Sequence, residues 1–273
     1  MYWSDIDHSF CESRILGMPE YLNSITSLFI VFFGTYGLYN STNIILDILY
    51  NILIILGIGS ISYHFTGTIG WGLLDEIPMI LSIFIGIIFV DTLYYKNKFD
   101  TFNHYRKFKL FSYLSIMILF IISNSMTNFR LIFPYLFGIV VIYLYYKTYL
   151  LIKDLPNFLK AKVMYPTTFS ILTITLSGII WGTTELLCNN LNRTLVLLGH
   201  PMWHFFVGHG FYNFIQVVYF IKLHLYTTDT YNITFNKFYL LGTSPFFSKK
   251  KGDITISDWQ SQSDIETREI KNA

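Results

Sequence analysis

The chain has 273 residues, of which 53% are hydrophobic and only 13% are charged, and its mean hydropathy is +0.46. A soluble domain of this length carries about 25% charged residues, so the composition excludes an ordinary soluble domain and indicates a helical integral membrane protein. The formal net charge of +2 and the lack of a basic face argue against a nucleic-acid partner.

Apolar segments of membrane-spanning length follow one another along most of the chain. A helix needs roughly 20 mainly apolar residues to cross the hydrocarbon core. The polar, acidic arm at 1–21 has no basic start followed by an apolar run, so we expect no cleavable signal peptide. Seven segments meet the length requirement, and we place them at about 22–39, 44–65, 73–95, 110–126, 131–152, 164–186 and 202–226.

The predicted fold is therefore all-α, a seven-transmembrane helix bundle that forms one membrane domain over residues 1–226. The polar tail at 227–273 has no strong periodicity, and we expect it to be flexible. If the N-terminus lies outside, only Arg14, Arg130 and Arg193 of the 19 lysines and arginines also lie outside. Positive charge collects on cytoplasmic loops, so we predict a lumenal or external N-terminus and a cytosolic C-terminus.

This orientation brings two polar clusters to the same side of the membrane. Ser60 and His64 lie at the outer end of the second span, and Asp75 lies at the outer start of the third. His200 and His204 open the seventh span at the same level. Ionisable groups within spans are costly and tend to mark function, so this convergence predicts a site.

The three histidines have the pattern of a catalytic zinc site. Residues four apart share one helix face, so His200 and His204 can bind one ion, with His64 as a third ligand. Three protein ligands plus a water are typical of catalytic rather than structural zinc. The sequence predicts Zn²⁺ at this position.

Two further residues have predicted catalytic roles. Asp75 is the natural general base for a zinc-activated water, although the adjacent Glu76 competes for that role and the residues alone do not separate them. Ser60 lies one turn from His64 and can donate to a developing oxyanion. The alternative from another functional class is a seven-helix receptor or transporter in which zinc is structural or absent.

Together these residues resemble the alkaline ceramidases, which belong to a superfamily of seven-helix membrane hydrolases that also includes the adiponectin and progestin receptors. The motifs that carry the resemblance are Ser60-x-x-x-His64, Asp75-Glu-Ile-Pro-Met79, His200-x-x-x-His204, Phe10-Cys-Glu12 and Glu20-x-x-Asn23. The resemblance implies a zinc amidase that cleaves ceramide, its lipid substrate, to sphingosine and fatty acid, with the site roles given above and with Asp75 as the base. It implies a membrane of the endoplasmic reticulum or Golgi, and it does not imply a protein partner.

The resemblance also implies a calcium site before the first span. Glu12 and Glu20 match the family's oxygen ligands, and Asp7 is a displaced third candidate. Arg14 stands where the family usually has an asparagine, and a cation beside Ca²⁺ is unfavourable. The alternative is a solvated acidic arm.

Two modifications are predicted on the outer side. The resemblance implies a disulfide between Cys11 and Cys188, which an oxidising lumen permits. Asn192-Arg-Thr194 is an N-glycosylation sequon on the same side, close to the membrane.

Overall fold

The computed structural model describes residues 10–41, 43–98, 103–126, 133–189, 192–227, 231–238 and 242–249. Within these residues the chain forms nine α-helices and two β-strands. In chain order they are α1 (Cys11–Leu16), α2 (Tyr21–Thr26), α3 (Leu28–Tyr39), α4 (Ile44–Thr66), α5 (Ile69–Lys98), α6 (Asn103–Ser125), α7 (Phe133–Lys153), α8 (Asn157–Leu186), α9 (Arg193–Thr227), β1 (Tyr231–Phe238) and β2 (Gly242–Lys249).

In the described part of the chain, five helices are long and apolar enough to cross a membrane: Tyr21–Tyr39, Ile44–Thr66, Ile69–Tyr95, Phe133–Lys153 and Asn157–Leu186. The first combines α2 and α3, which meet at Ser27, whose own backbone is right-handed helical. These five match the first, second, third, fifth and sixth predicted spans. The architecture is thus that of a helical multi-pass membrane protein.

The remaining two predicted spans correspond to helices of a different character. The fourth matches a shorter apolar helix, Lys109–Ser123, within α6. The seventh lies in α9, which is not one of the five and which begins at Arg193, nine residues before the predicted start. The number of spans and the orientation stay predictions.

Helix α9 supplies much of the core. Tyr212, Val217, Phe220 and Ile221 on this helix are all 0% exposed. It packs mainly against α8 and α3. Because α9 is enclosed by its neighbours, polar side chains at its N-terminal end are brought into the interior.

The tail adds two strands to the all-helical membrane domain. Strands β1 and β2 form an antiparallel hairpin in which Tyr231 pairs with Lys249 and Phe238 with Gly242. The first strand is rich in β-branched and aromatic residues, which favour strands over helices. Residues 250–273 and the flexibility expected of them lie outside the described part of the chain.

Candidate metal centre

The three predicted zinc ligands meet in the interior. His64 on α4 and His200 and His204 on α9 each offer a ring nitrogen, and these atoms lie within 4.8 Å of one another. The ring centroids are 4.6 Å apart for His200 and His204, 4.8 Å for His64 and His200, and 5.1 Å for His64 and His204. Among the described residues this is the one group of three or more histidines, cysteines or acids placed to hold a metal. We call it the histidine triad.

His64 is oriented by a carboxylate that the sequence assigned to calcium. Glu20 Oε2 lies 2.6 Å from His64 Nδ1, and the Glu20 backbone N–H donates to the His64 carbonyl at 2.9 Å. Burial opposes ionisation of Glu20, but hydrogen bonding, chiefly with His64, lowers the Glu20 pKa to about 2. His64 Nε2 is buried and has no hydrogen-bond partner within the described residues. That nitrogen is therefore the one left for a metal.

His204 is oriented by hydroxyl groups. Its Nδ1 lies 3.0 Å from Thr26 Oγ1 and 3.3 Å from Ser27 Oγ. Thr26 donates its own hydrogen to the Leu22 carbonyl at 2.7 Å, so it accepts from His204 Nδ1–H. Nε2 again carries the free lone pair.

Ser60 lies in the same hydroxyl network. Its side chain is 1% exposed, and its Oγ lies 3.0 Å from the Oγ of Ser27, whose hydroxyl also donates to the Asn23 carbonyl at 2.8 Å. Rotation about the Ser60 Cβ–Oγ bond can turn the Ser60 hydroxyl hydrogen from Ser27 to another acceptor. The sequence identified Ser60 but missed Ser27 and Thr26, since hydroxyl residues are too common in spans to stand out alone.

His200 faces a carboxylate that the sequence analysis did not single out. Its Nδ1 lies 3.7 Å from Glu185 Oε1 on α8. Aromatic rings enclose the same histidine, with Phe10 centred 4.5 Å and Trp181 5.3 Å from its ring. All three members of the triad therefore have Nδ1 beside an oxygen group.

Asp75 lies on α5 and is half-buried, as is Glu76. A Cβ on Gly59 would come within 2.3 Å of the Leu74 carbonyl oxygen and 2.9 Å of the Asp75 nitrogen. Pro78 has no N–H to bond that carbonyl four residues back, which leaves the carbonyl to face the glycine. The α5 backbone at Asp75 is thus in contact with α4 directly beside Ser60.

The N-terminal arm is fastened over the triad. The Cys11–Cys188 disulfide is present, which confirms the predicted pairing, with Cα atoms 5.7 Å apart. The buried Glu12 carboxylate accepts the backbone N–H groups of Leu22 and Asn23 at 2.7 and 2.9 Å. Burial raises the Glu12 pKa although these two bonds oppose the shift.

The calcium and glycosylation predictions are not decided by this arrangement. Glu12 and Glu20 do not join a third acid or histidine in a metal-sized group within the described residues, and Asp7 lies outside them. Arg14 instead binds Glu185, with 2.9 Å between the guanidinium and Oε2. Asn192 is exposed, and its side chain accepts the Thr194 N–H at 2.9 Å.

A small apolar cavity of about 20 Å³ lies deeper in the bundle between α4, α5, α7 and α9. Gly86 and Phe89 on α5 line it together with Phe214 and Val218 on α9. At about 1.5 Å of rise per residue, Gly86 is about 16 Å along α5 from Asp75. The cavity therefore lies on the core side of the triad.

Comparison with known proteins agrees with this geometry. A sequence model of the family described as Ceramidase matches residues 5–244, which is most of the chain. The protein named "Putative alkaline ceramidase dcd3B" of Dictyostelium discoideum is 27% identical, over 79% of this chain and 87% of that protein. The chain belongs to the ceramidase family, as its motifs predicted.

Proposed function

We propose that this protein is a zinc-dependent amide hydrolase that cleaves ceramide to sphingosine and a free fatty acid. The observation that carries the proposal is the histidine triad, with one nitrogen of each ring turned toward a common point and the other beside an oxygen group. Family membership supports hydrolysis of a ceramide.

The donor set fits zinc. Three neutral imidazole nitrogens, each with its second N–H directed to a carboxylate or hydroxyl, are the arrangement that zinc sites use to fix ring orientation. His64 Nε2, buried and without a hydrogen-bond partner in the described residues, is otherwise an uncompensated polar atom. When bound, zinc supplies a Lewis acid that acidifies a water and polarises the amide carbonyl.

Asp75 and Ser60 carry out the remaining steps of the reaction, which are the proton transfers and the stabilisation of the developing negative charge. Asp75 takes a proton from the attacking water while the new C–O bond forms. Ser60, supported by Ser27, donates a hydrogen bond to the carbonyl oxygen as negative charge develops on it. Asp75 then gives the proton to the amide nitrogen as the C–N bond breaks, which releases the amine of sphingosine and the fatty acid.

The apolar cavity supports a lipid substrate. It is lined almost entirely by aliphatic and aromatic side chains, with Ser82 as the exception. The cavity has room for only about one or two water-sized groups, so a hydrocarbon chain enters it as the lining side chains move apart. Once there, the chain loses its contact with water at no cost in unsatisfied polar groups. In this arrangement the scissile amide lies at the triad, and a hydrocarbon chain of the substrate lies deeper in the bundle.

We also propose how the chain is arranged in the membrane. We assign seven spans with the N-terminus and the triad on the lumenal side, in the endoplasmic reticulum or Golgi. The Cys11–Cys188 disulfide supports an oxidising compartment for that face. A receptor or transporter without chemistry is the rival, and neither the site nor the comparisons favour it.

Sphingosine release from ceramide by the purified protein in detergent micelles at alkaline pH, followed by mass spectrometry, tests the function. We expect release that a zinc chelator abolishes, and loss of release in His204→Ala, Ser60→Ala and Asp75→Ala. Comparing Asp75→Asn with Glu76→Gln assigns the base, since only the base variant should lose turnover while keeping zinc. Turnover unaffected by zinc removal would overturn the proposal.

A further inference from the structure

Glu185 is a half-buried carboxylate whose two oxygens make different contacts. Its Oε2 accepts the Cys11 backbone N–H at 2.8 Å and Arg14 at 2.9 Å. Its Oε1 is buried and has no hydrogen-bond partner among the described residues. Oε2 of the carboxylate thus binds the N-terminal arm, and Oε1 is available to accept a hydrogen bond from another group.

A nitrogen of the histidine triad lies close to that free side. His200 Nδ1 lies 3.7 Å from Glu185 Oε1 and is itself buried without a hydrogen-bond partner in the described part of the chain. A charge-assisted N–H···O bond has a length of about 2.7–2.9 Å, so a small rotation of the imidazole closes the contact. Leaving two buried polar atoms without hydrogen bonds costs free energy, so a hydrogen bond between these two atoms is favourable.

Close helix packing holds the pair together. A Cβ on Gly199 would come within 1.9 Å of Thr184 Oγ1. Gly199 precedes His200 on α9, and Thr184 precedes Glu185 on α8. The glycine therefore allows the two helices to approach at the level of the carboxylate and the histidine.

We propose that Glu185 is a positioning residue for the metal site. It accepts a hydrogen bond from His200 Nδ1 and so directs His200 Nε2 to the metal, while Arg14 and the Cys11 N–H hold the carboxylate in place. The arm is thereby linked to the metal ligand through one side chain. This inference rests on the proposed function, because it requires a metal at the triad.

Glutamine at this position gives a sharp test. Arg14 and the Cys11 N–H both need an acceptor, so the amide oxygen of Glu185→Gln takes the place of Oε2. The amide NH₂ then faces His200 Nδ1–H, and two donors oppose each other. The matched control is Arg14→Gln, which removes the same ion pair but leaves the carboxylate facing His200.

The measurement is the zinc affinity of the full-length protein in detergent micelles, obtained by competition with a fluorescent zinc chelator. We expect Glu185→Gln to bind zinc about 10–100-fold more weakly than the wild type, as for other partners of metal-bound histidines. Because Arg14 is 41% exposed, we expect Arg14→Gln to lose less than about fivefold. The ligand-field absorption of the cobalt-substituted protein should change in the first variant and not in the second.

Three results would overturn the inference, and a fourth would remove the proposed function instead. Equal weakening in both variants would assign the effect to the arm and not to His200. A complete loss of zinc in Glu185→Ala, equal to that in His200→Ala, would make Glu185 a ligand. Wild-type protein that binds no zinc would remove the proposed metal site first, whereas tight wild-type binding unchanged in Glu185→Gln would remove only the positioning role.

Discussion

Glu20 and His64 contact each other twice, because the carboxylate lies 2.6 Å from the imidazole Nδ1 and the Glu20 backbone N–H donates to the His64 carbonyl at 2.9 Å. The first span is thereby attached to the second at the metal ligand itself. A residue that the sequence assigned to calcium is in this structure the partner of a predicted zinc ligand.

Glu20→Gln should weaken zinc binding by about 10–100-fold, because the neutral amide is a poorer acceptor for His64 Nδ1–H and a poorer anchor for the ring. Zinc affinity measured by chelator competition checks this. Glu12→Gln is the matched control, since Glu12 is equally buried but binds the backbone of Leu22 and Asn23 instead of a histidine. A similar loss of zinc affinity in both variants would show that arm stability, and not the His64 contact, is responsible.

Gly59→Ala should lower turnover much more than zinc affinity. The new methyl group would lie 2.3 Å from the Leu74 carbonyl oxygen, so α4 and α5 must separate at Asp75. A displacement of about 1 Å can reduce catalysis about 100-fold, while the triad, which draws on α4 and α9, keeps its ligands. Steady-state hydrolysis and zinc content of the same preparation check this.

Gly182→Ala is the control for that change, because nothing lies within 4 Å of the position that its Cβ would take. It should retain activity and gain slight helix stability. Equal activity in the two alanine variants would contradict the positioning of Asp75 by Gly59.

The parts of the fold that were predictable are those with a strong periodic or compositional signal. Long apolar runs identified five candidate spans, and the i, i+4 spacing of His200 and His204 with the distant His64 identified the triad. The β-hairpin was not predicted, because a short polar segment with a few aromatic residues gives a weak strand signal beside helices of 20 residues or more.

The partners of the triad were not predictable for a different reason. Glu185 and Thr26 are ordinary residues in sequence, and only the close approach of α8 and α2 to α9 makes them partners of His200 and His204. Lys147 lies within the fifth predicted span and is only 7% exposed. Its partner Asp91 is on another helix, and one sequence does not reveal such pairing.

The calcium prediction can be tested through Arg14. A cation close to Glu12 and Glu20 opposes Ca²⁺ binding, so Arg14→Asn, which restores the asparagine typical of the family, should bind calcium more tightly than the wild type. Thermal unfolding with and without a calcium chelator at fixed free zinc measures this, since a bound ion stabilises the folded state. Melting temperatures independent of calcium in both proteins would exclude the site.

Asp91→Asn should destabilise the bundle by about 3–5 kcal/mol, because it leaves the buried Lys147 ammonium without its 2.6 Å partner. Asp91 also accepts from Tyr113 on α6, so the variant should loosen that helix as well. The double variant Asp91→Asn with Lys147→Met should recover much of the loss, because no unpaired charge remains in the core. Thermal unfolding of the three proteins checks this, and a double variant less stable than Asp91→Asn would contradict the explanation.

Gly86→Leu should shorten the hydrocarbon chain that the enzyme accepts. A Cβ at Gly86 makes only ordinary contacts, 3.6 Å and 3.7 Å from Leu144, and the rest of the leucine side chain fills the small cavity that a hydrocarbon chain would otherwise enter. Gly138→Leu is the control, because a Cβ there meets nothing within 4 Å. Competition between ceramides that differ only in acyl-chain length measures the preference.

Each methylene that does not fit loses about 0.8 kcal/mol of burial. If the variant accommodates two methylenes fewer, the preference between acyl chains should therefore change by about 10-fold. An unchanged preference in Gly86→Leu, with zinc retained, would place the acyl chain elsewhere in the bundle.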